Sequence, residues 1–375
     1  MKRICFSGGG TLGSVSPLLA VHVELLQRHP MLESLFIGTL TGPEREIIEA
    51  ENIPFHGIRS GKLRRYRDLQ NLVDPFRVMG GVLDAYRLLK TFQPDVMFSA
   101  GGFVSVPVAI ACRMRSIPVV IHQQDVIPGL ANRLMSPLAQ KITVTFEQSQ
   151  HQFPLHKTVW CGNPVRRELE EGSVVHAQEL FSLEPNLPTV LVLGGGTGAR
   201  SLNRIVVSAL PELLTFCQIL HSAGKGKNVF QDTELQKLHQ PDSVLTEHPQ
   251  HNPYLRYHVV ERLSSDEMRH AYAVADIVVT RAGMSTLSEL AFLGKPTIVV
   301  PMPGSHQEAN ARLFEEQDAV VSLPHAALTK ELLTSTIREL WSSPTKRAHL
   351  GATIQNLNRK DAAVRIAKVL ETLCA

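Results

Sequence analysis

Apolar residues in this chain come in short runs that repeat one order: strand, glycine turn, helix. Ile4-Cys5-Phe6 leads into Gly8-Gly9-Gly10-Thr11-Leu12-Gly13-Ser14. Pro17 then stands where a helix begins, and Leu18 to Leu26 carries apolar residues at helical spacing. The order returns at Thr189-Val190-Leu191-Val192-Leu193, which runs into Gly194-Gly195-Gly196-Thr197-Gly198 and a helix through Leu202 and Ile205. Asp95 to Phe98, Val119 to Ile121 and Ile142 to Val144 read as further strands of the first half. Gln218 to Leu220, Ile277 to Val279 and Thr297 to Val300 read as strands of the second. Strands alternating with helices predict parallel sheets joined by crossover helices. The expected fold is α/β, with two Rossmann-like domains facing each other across a cleft. Gly162-Asn163-Pro164 punctuates the chain, so the expected domains are 1–163 and 164–375. Whether the last helix, about Asp361 to Leu373, packs back on the first domain is open at this level.

The segment Thr280-Arg281-Ala282-Gly283-Met284-Ser285-Thr286-Leu287-Ser288-Glu289-Leu290 carries the most chemistry. It follows a buried-strand pattern and enters a helix that ends near Gly294-Lys295-Pro296. Small residues at a helix start leave backbone N–H groups free at its positive end, a seat for a diphosphate. Glu289 lies about one turn further in, where a carboxylate can accept two hydrogen bonds from a ribose diol. An ordinary strand–turn–helix connection with a surface Glu explains the same letters.

Composition narrows the choices. The 375 residues are 43% apolar and 19% charged, which is globular and suits two domains. A net charge of +3 is too small to argue for nucleic acid, but it is compatible with an anionic membrane surface or a phosphate-bearing substrate. Cys5, Cys112, Cys161, Cys217 and Cys374 are scattered without a Cys-x-x-Cys pair, which speaks against a zinc site or disulfide frame. Lys2-Arg3 leads straight into the first strand, and no window approaches the roughly 18 apolar residues of a membrane span. The expectation is a cytoplasmic protein, peripheral on the membrane at most.

The glycine loops exclude more than they assign. Gly8 to Gly13 lacks a clean Gly-x-Gly-x-x-Gly, and Leu35-Phe36-Ile37-Gly38-Thr39 ends without the acid that would hold a dinucleotide ribose. There is no Gly-x-x-x-x-Gly-Lys-Ser/Thr phosphate loop and no Asp-x-Asp to hold a metal against a nucleotide diphosphate. With a nucleotide-sugar substrate, helix dipoles and basic side chains must carry the leaving diphosphate.

Several separated segments converge on one family. They are Gly8 through Pro17, Gly101-Gly102-Phe103-Val104-Ser105, His122 to Arg133, Gly162 to Arg166, Gly194 to Asn203, Asp276 to Pro301, and His306-Gln307-Glu308-Ala309-Asn310-Ala311. In this order and register the chain resembles the MurG-type N-acetylglucosaminyltransferases of peptidoglycan synthesis, glycosyltransferase family 28, of GT-B fold. The resemblance implies inverting transfer of N-acetylglucosamine from UDP-N-acetylglucosamine to a lipid-linked muramyl-peptide acceptor (lipid I), giving lipid II, with no metal and no cofactor. It puts the donor in the second domain: Glu289 on the ribose, Arg281 to Thr286 (Ser285 among them) facing the donor, and His306, Gln307 and Asn310 reading sugar hydroxyls. Gln307 is the first choice for the acetamido sugar. Arg166 becomes a diphosphate or uracil-loop contact. Thr11, Gly13, Asn132, Gly196, Thr197 and Asn203 are carried over as substrate-binding positions.

The departures from the family cluster in the first domain. Ser14 stands for the family His, His122-Gln123-Gln124-Asp125 for His-Glu-Gln-Asn, Phe103 for Tyr, and Gly196-Thr197 for Ser-Gln. Inverting transfer needs a base for the acceptor hydroxyl proton, and a serine is a poor one. Asp125 is a gained carboxylate and the first candidate base, with His122 orienting it or sharing the role and Ser14 beside them. A solvated loop carboxylate, with the proton lost to water or to the diphosphate, explains the same residue. Lys62-Leu63-Arg64-Arg65-Tyr66-Arg67, followed by Leu72, Val73, Phe76, Val78, Met79, Val82 and Leu83, forms a basic–apolar patch suited to the inner leaflet of the cytoplasmic membrane. A different lipid acceptor, a UDP-sugar epimerase and a non-catalytic homologue are the alternatives.

Overall fold

The structure, a computed structural model, describes residues 1–61, 70–195, 199–224, 226 and 253–374. The chain forms two compact units, Met1–Arg166 with Arg359–Ala375, and Arg167–Asn358. The last helix, Ala362–Glu371, thus belongs to the N-terminal unit.

The N-terminal unit is built on a seven-stranded parallel sheet. Its strands are β1 (Arg3–Ser7), β2 (Glu33–Thr39), β3 (Phe55–Ile58), β4 (Val96–Ser99), β5 (Val119–Gln123), β6 (Lys141–Val144) and β7 (Thr158–Trp160). Their order is β3-β2-β1-β4-β5-β6-β7. Alternation along β1 sends side chains to two cores. Cys5 joins Met97, Val108 and Val119 on one face. Ile4 and Phe6 join Leu18, Val21 and Leu25 of the helix Ser16–Arg28 on the other, with Ile366 and Leu370 of the last helix. Apolar on both faces, the central strands read as continuous apolar runs.

The C-terminal unit carries a six-stranded parallel sheet. It comprises β8 (Thr189–Leu193), β9 (Gln218–Ser222), β10 (Tyr257–Val260), β11 (Ile277–Thr280), β12 (Thr297–Val299) and β13 (Val321–Ser322), in the order β10-β9-β8-β11-β12-β13. Val190, Val192, Ile219, Val279 and Ile298 pack against Leu202, Val206 and Leu210 of the helix Arg200–Leu213. The helix Met284–Leu293 after β11 stops at Gly294, whose φ of 67° is the left-handed cap only glycine adopts without strain.

Strand order reverses between β1 and β4 in the first unit and between β8 and β11 in the second. In open parallel sheets the carboxyl edge at such a reversal is the usual ligand position. Among the described residues no helix is long and apolar enough to cross a membrane.

Candidate functional site

In the C-terminal unit the loop after β11 is at the switch point. Gly283 caps the helix Met284–Leu293 with extended backbone (φ −74°, ψ 130°), no side-chain cap and no acid in the first turn. A helix start with neither a side-chain cap nor a first-turn acid is a favourable place for an anion. Arg281 stands two residues before this helix start and is only 8% exposed. Its Nη1 donates to the carbonyls of Val300 (3.0 Å) and Pro301 (3.1 Å), and its Nη2 to Ser201 Oγ (2.7 Å). Three of the five guanidinium donors are thus used on neutral oxygens. Burial pushes the Arg281 pKa down, yet a guanidinium stays charged. No described carboxylate pairs with it, so this buried cation stands ready for an anionic ligand.

Glu289 is half-buried on the second turn of the same helix, and Oε2 accepts a hydrogen bond from the Tyr272 hydroxyl at 2.7 Å. Ser285 is half-buried on the first turn. His306 is exposed at the start of the helix Gln307–Glu316. Gln307 Oε1 accepts the Met302 N–H at 3.1 Å, which fixes the carboxamide and leaves its nitrogen to donate. Asn310 is 0% exposed and its Nδ2 donates to the Ala282 carbonyl at 3.1 Å. It braces the β11 loop from behind, and the expectation that it reads sugar hydroxyls is revised.

Asn203 is revised for the same reason. Its Nδ2 donates to the Ala223 carbonyl (2.9 Å), so Oδ1 accepts from His221 Nε2 (3.2 Å). The other ring nitrogen of His221 then accepts from the Tyr257 hydroxyl (2.9 Å). The three side chains form one buried network, and burial lowers the His221 pKa to about 4. Gly196 and Thr197 lie outside the described residues.

In the N-terminal unit the loops after β1, β4 and β5 meet. A Cβ on Gly102 would lie 2.8 Å from the Gly9 carbonyl oxygen, so only glycine lets the β1 and β4 loops touch. Gln124 Nε2 donates to the Ala100 carbonyl at 3.1 Å, tying the β5 loop to the β4 loop. Asp125 is half-buried in that β5 loop, and its carbonyl accepts from Gln123 Nε2 (2.8 Å). Asn132 is buried; Nδ2 donates to the His122 carbonyl (2.9 Å) and Gln123 Oε1 (2.7 Å). Asn132 Oδ1 is left as a buried acceptor without a hydrogen-bond partner, beside Gly101. Flipping the amide would set that oxygen against two acceptors, so the orphan calls for an outside donor. Thr11 is exposed and Gly13 half-buried on the first glycine loop. Arg166 lies 3.9 Å from Glu51 in an ion pair of the same unit.

Two expectations here need correction. His122 is fully buried, its Nδ1 lies 3.0 Å from Thr143 Oγ1 and its Nε2 2.8 Å from Asn163 Oδ1. Burial lowers its pKa to about 4, so it neither takes nor shares a proton near neutrality. Ser14 is buried as well; its Oγ accepts the Gly9 N–H (3.1 Å) and donates to the Thr11 carbonyl (3.3 Å). It closes the glycine loop instead of facing a substrate.

The sequence reading missed Glu44. It is 0% exposed and accepts from Thr39 N (2.8 Å), Thr39 Oγ1 (2.5 Å) and Gly10 N (3.3 Å). A Cβ on Gly9 or Gly42 would strike its carboxylate, at 2.3 and 2.0 Å. The spacing Gly38-Thr39…Gly42…Glu44 after β2 was the available signal. The acid absent from the end of β2 is supplied five residues later and spent inside the protein, on the first glycine loop.

Two parallel-sheet Rossmann-like units with loops gathered at their switch points define the GT-B class of nucleotide-sugar enzymes. The model of the glycosyltransferase family 28 N-terminal domain matches residues 4–144, and that of the family 28 C-terminal domain residues 189–366. The chain belongs to glycosyltransferase family 28. It is 38% identical, over 99% of both chains, to the UDP-N-acetylglucosamine–N-acetylmuramyl-(pentapeptide) pyrophosphoryl-undecaprenol N-acetylglucosamine transferase of Lachnoclostridium phytofermentans. The protein of that name from Clostridium novyi is 35% identical over 99% of this chain and 98% of its own. Among solved structures, MurG of Acinetobacter baumannii superposes with a TM-score of 0.70 at 24% identity, over 99% of this chain and 100% of that one. A UDP-GlcNAc 2-epimerase from Neisseria meningitidis reaches the same TM-score at 16% identity, over the same shares of the two chains. These structural likenesses speak to the fold alone.

Proposed function

We infer that this chain transfers N-acetylglucosamine from UDP-N-acetylglucosamine to the lipid-linked N-acetylmuramyl-pentapeptide acceptor, with inversion. The reading is carried by similarity over nearly the full length to transferases named for that reaction, at 35–38% identity. The buried, carboxylate-free Arg281 before an uncapped helix start supports a diphosphate-bearing donor. The donor belongs to the C-terminal unit, with Glu289 on the ribose and Gln307 on the acetamido sugar. The acceptor belongs to the N-terminal unit, where Thr11, Gly13 and the orphaned Asn132 oxygen support binding of a hydroxyl- and amide-rich ligand.

An acceptor hydroxyl attacks the anomeric carbon while the bond from that carbon to the diphosphate oxygen breaks. The helix-start N–H groups and Arg281 stabilise the charge on the departing UDP. The hydroxyl proton goes to Asp125, the carboxylate gained in the β5 loop. Lipid-linked acceptor calls for contact with the inner leaflet at the cytoplasmic face. Met79 and Leu83, exposed on the helix Gln70–Phe92, support that reading; the basic run Lys62 to Arg67 lies outside the described residues.

Mass spectrometry of lipid I incubated with UDP-N-acetylglucosamine and the protein tests the reaction. Gain of one N-acetylhexosamine by the acceptor, with release of UDP, is the expected result. An unchanged acceptor would overturn it, and an epimerised sugar in a donor-only control would establish the epimerase instead.

A further inference from the structure

Tyr272 has no part in the reaction just described, yet among the described residues it is the largest of the fully buried side chains. It is 1% exposed and sits near the end of the helix Ser265–Val274. That helix is firmly begun: Ser264 Oγ accepts the Glu267 N–H at 3.2 Å and the Glu267 carboxylate accepts the Ser264 N–H at 2.7 Å, a reciprocal cap. From this fixed helix the phenol reaches across to the helix Met284–Leu293, and its hydroxyl donates to Glu289 Oε2 at 2.7 Å.

A glutamate on a helix surface ordinarily samples several rotamers, and binding through it costs the entropy of choosing one. Glu289 is half-buried and its Oε2 accepts from a phenol that is itself fully buried. The bond restricts the rotamers of the carboxylate. A carboxylate offers about four acceptor sites, and the phenol takes one of them.

We propose that Tyr272 is a positioning residue that presets the Glu289 carboxylate for a cis-diol, and so makes the site selective for ribose over deoxyribose. This rests on the reading that Glu289 holds the donor ribose, and the test separates the two claims. UDP and 2′-deoxy-UDP are titrated calorimetrically into the wild-type chain, Glu289→Ala, Tyr272→Phe and the double variant. The wild type should prefer UDP by about tenfold or more, the size of one hydrogen bond to a charged group, and Glu289→Ala should abolish the preference. Tyr272→Phe should reduce the preference to about threefold or less while leaving 2′-deoxy-UDP affinity within about twofold. In the double variant the Tyr272 change should add nothing. Full wild-type selectivity in Tyr272→Phe, or equal weakening of both nucleotides, would overturn the role of Tyr272 and leave that of Glu289 standing. Absence of selectivity in the wild type would overturn both. Phenylalanine keeps the buried ring, and the circular dichroism spectrum checks the fold. If Tyr272→Phe fails to fold, Glu289→Asp replaces it: the shortened carboxylate leaves the phenol behind and should lose selectivity, and retention would overturn the proposal.

Discussion

Asp125 and His122 share one short segment and end in different surroundings because of where β5 stops. His122 is still inside the strand, buried on the sheet with both ring nitrogens bonded. Asp125 is past its end, half-buried in a loop tied down by Gln123 and Gln124. A one-dimensional reading sees four polar residues in a row and has no means of telling an inward from an outward one. The same blindness promoted Asn203 and Asn310, which are buried with Nδ2 donating to backbone carbonyls, and passed over Glu44, whose carboxylate holds the first glycine loop. The helix start itself was legible, because the small-residue turn before Met284 is a local signal. At this scale the decisive variant is Asp125→Asn. With both substrates saturating, kcat should fall about a hundredfold, the lower range for a lost general base. Unchanged kcat would mean the proton leaves by another route.

The elements divide by position in the sheet. Every central strand was legible as an apolar run, and the strands that were not, β3, β7, β10 and β13, are the four sheet edges. Phe55–Ile58 and Tyr257–Val260 mix polar with apolar residues, and Val321–Ser322 is two residues long. An edge strand has a neighbour on one side only and less apolar cover, so its pattern falls below the signal of a buried parallel strand. Helix placement also depends on long-range braces that local pattern cannot show. Asn310 ties the helix Gln307–Glu316 to the β11 loop. Asn310→Ala removes that bond and strands the Ala282 carbonyl, which should cost about 1–3 kcal/mol of stability. Urea denaturation measures it; a loss under about 0.5 kcal/mol would show that the brace is slack.

For the molecule as a whole, burial lowers the pKa of three histidines to about 4: His22 and His122 in the first unit and His221 in the second. An unfolded chain binds a proton at each near pH 6.5, so the unfolded state holds more protons between pH 6.5 and 4. Stability should therefore be full above about pH 6.5 and fall as pH drops through that window. Each histidine should remove about 2 kcal/mol between pH 7 and pH 5. Urea midpoints that stay level or rise on acidification to pH 5 would show that these rings are reached by protons in the folded state.

The central claim is that the donor's diphosphate and ribose are gripped where the C-terminal sheet reverses, by a helix start, a buried arginine and Glu289. Hydrogen–deuterium exchange with and without UDP reads this directly, peptide by peptide. UDP should slow exchange across 281–290 and leave 8–14, the first glycine loop, at its free rate. Protection confined to 8–14, or no protection at 281–290 under saturating UDP, would contradict it.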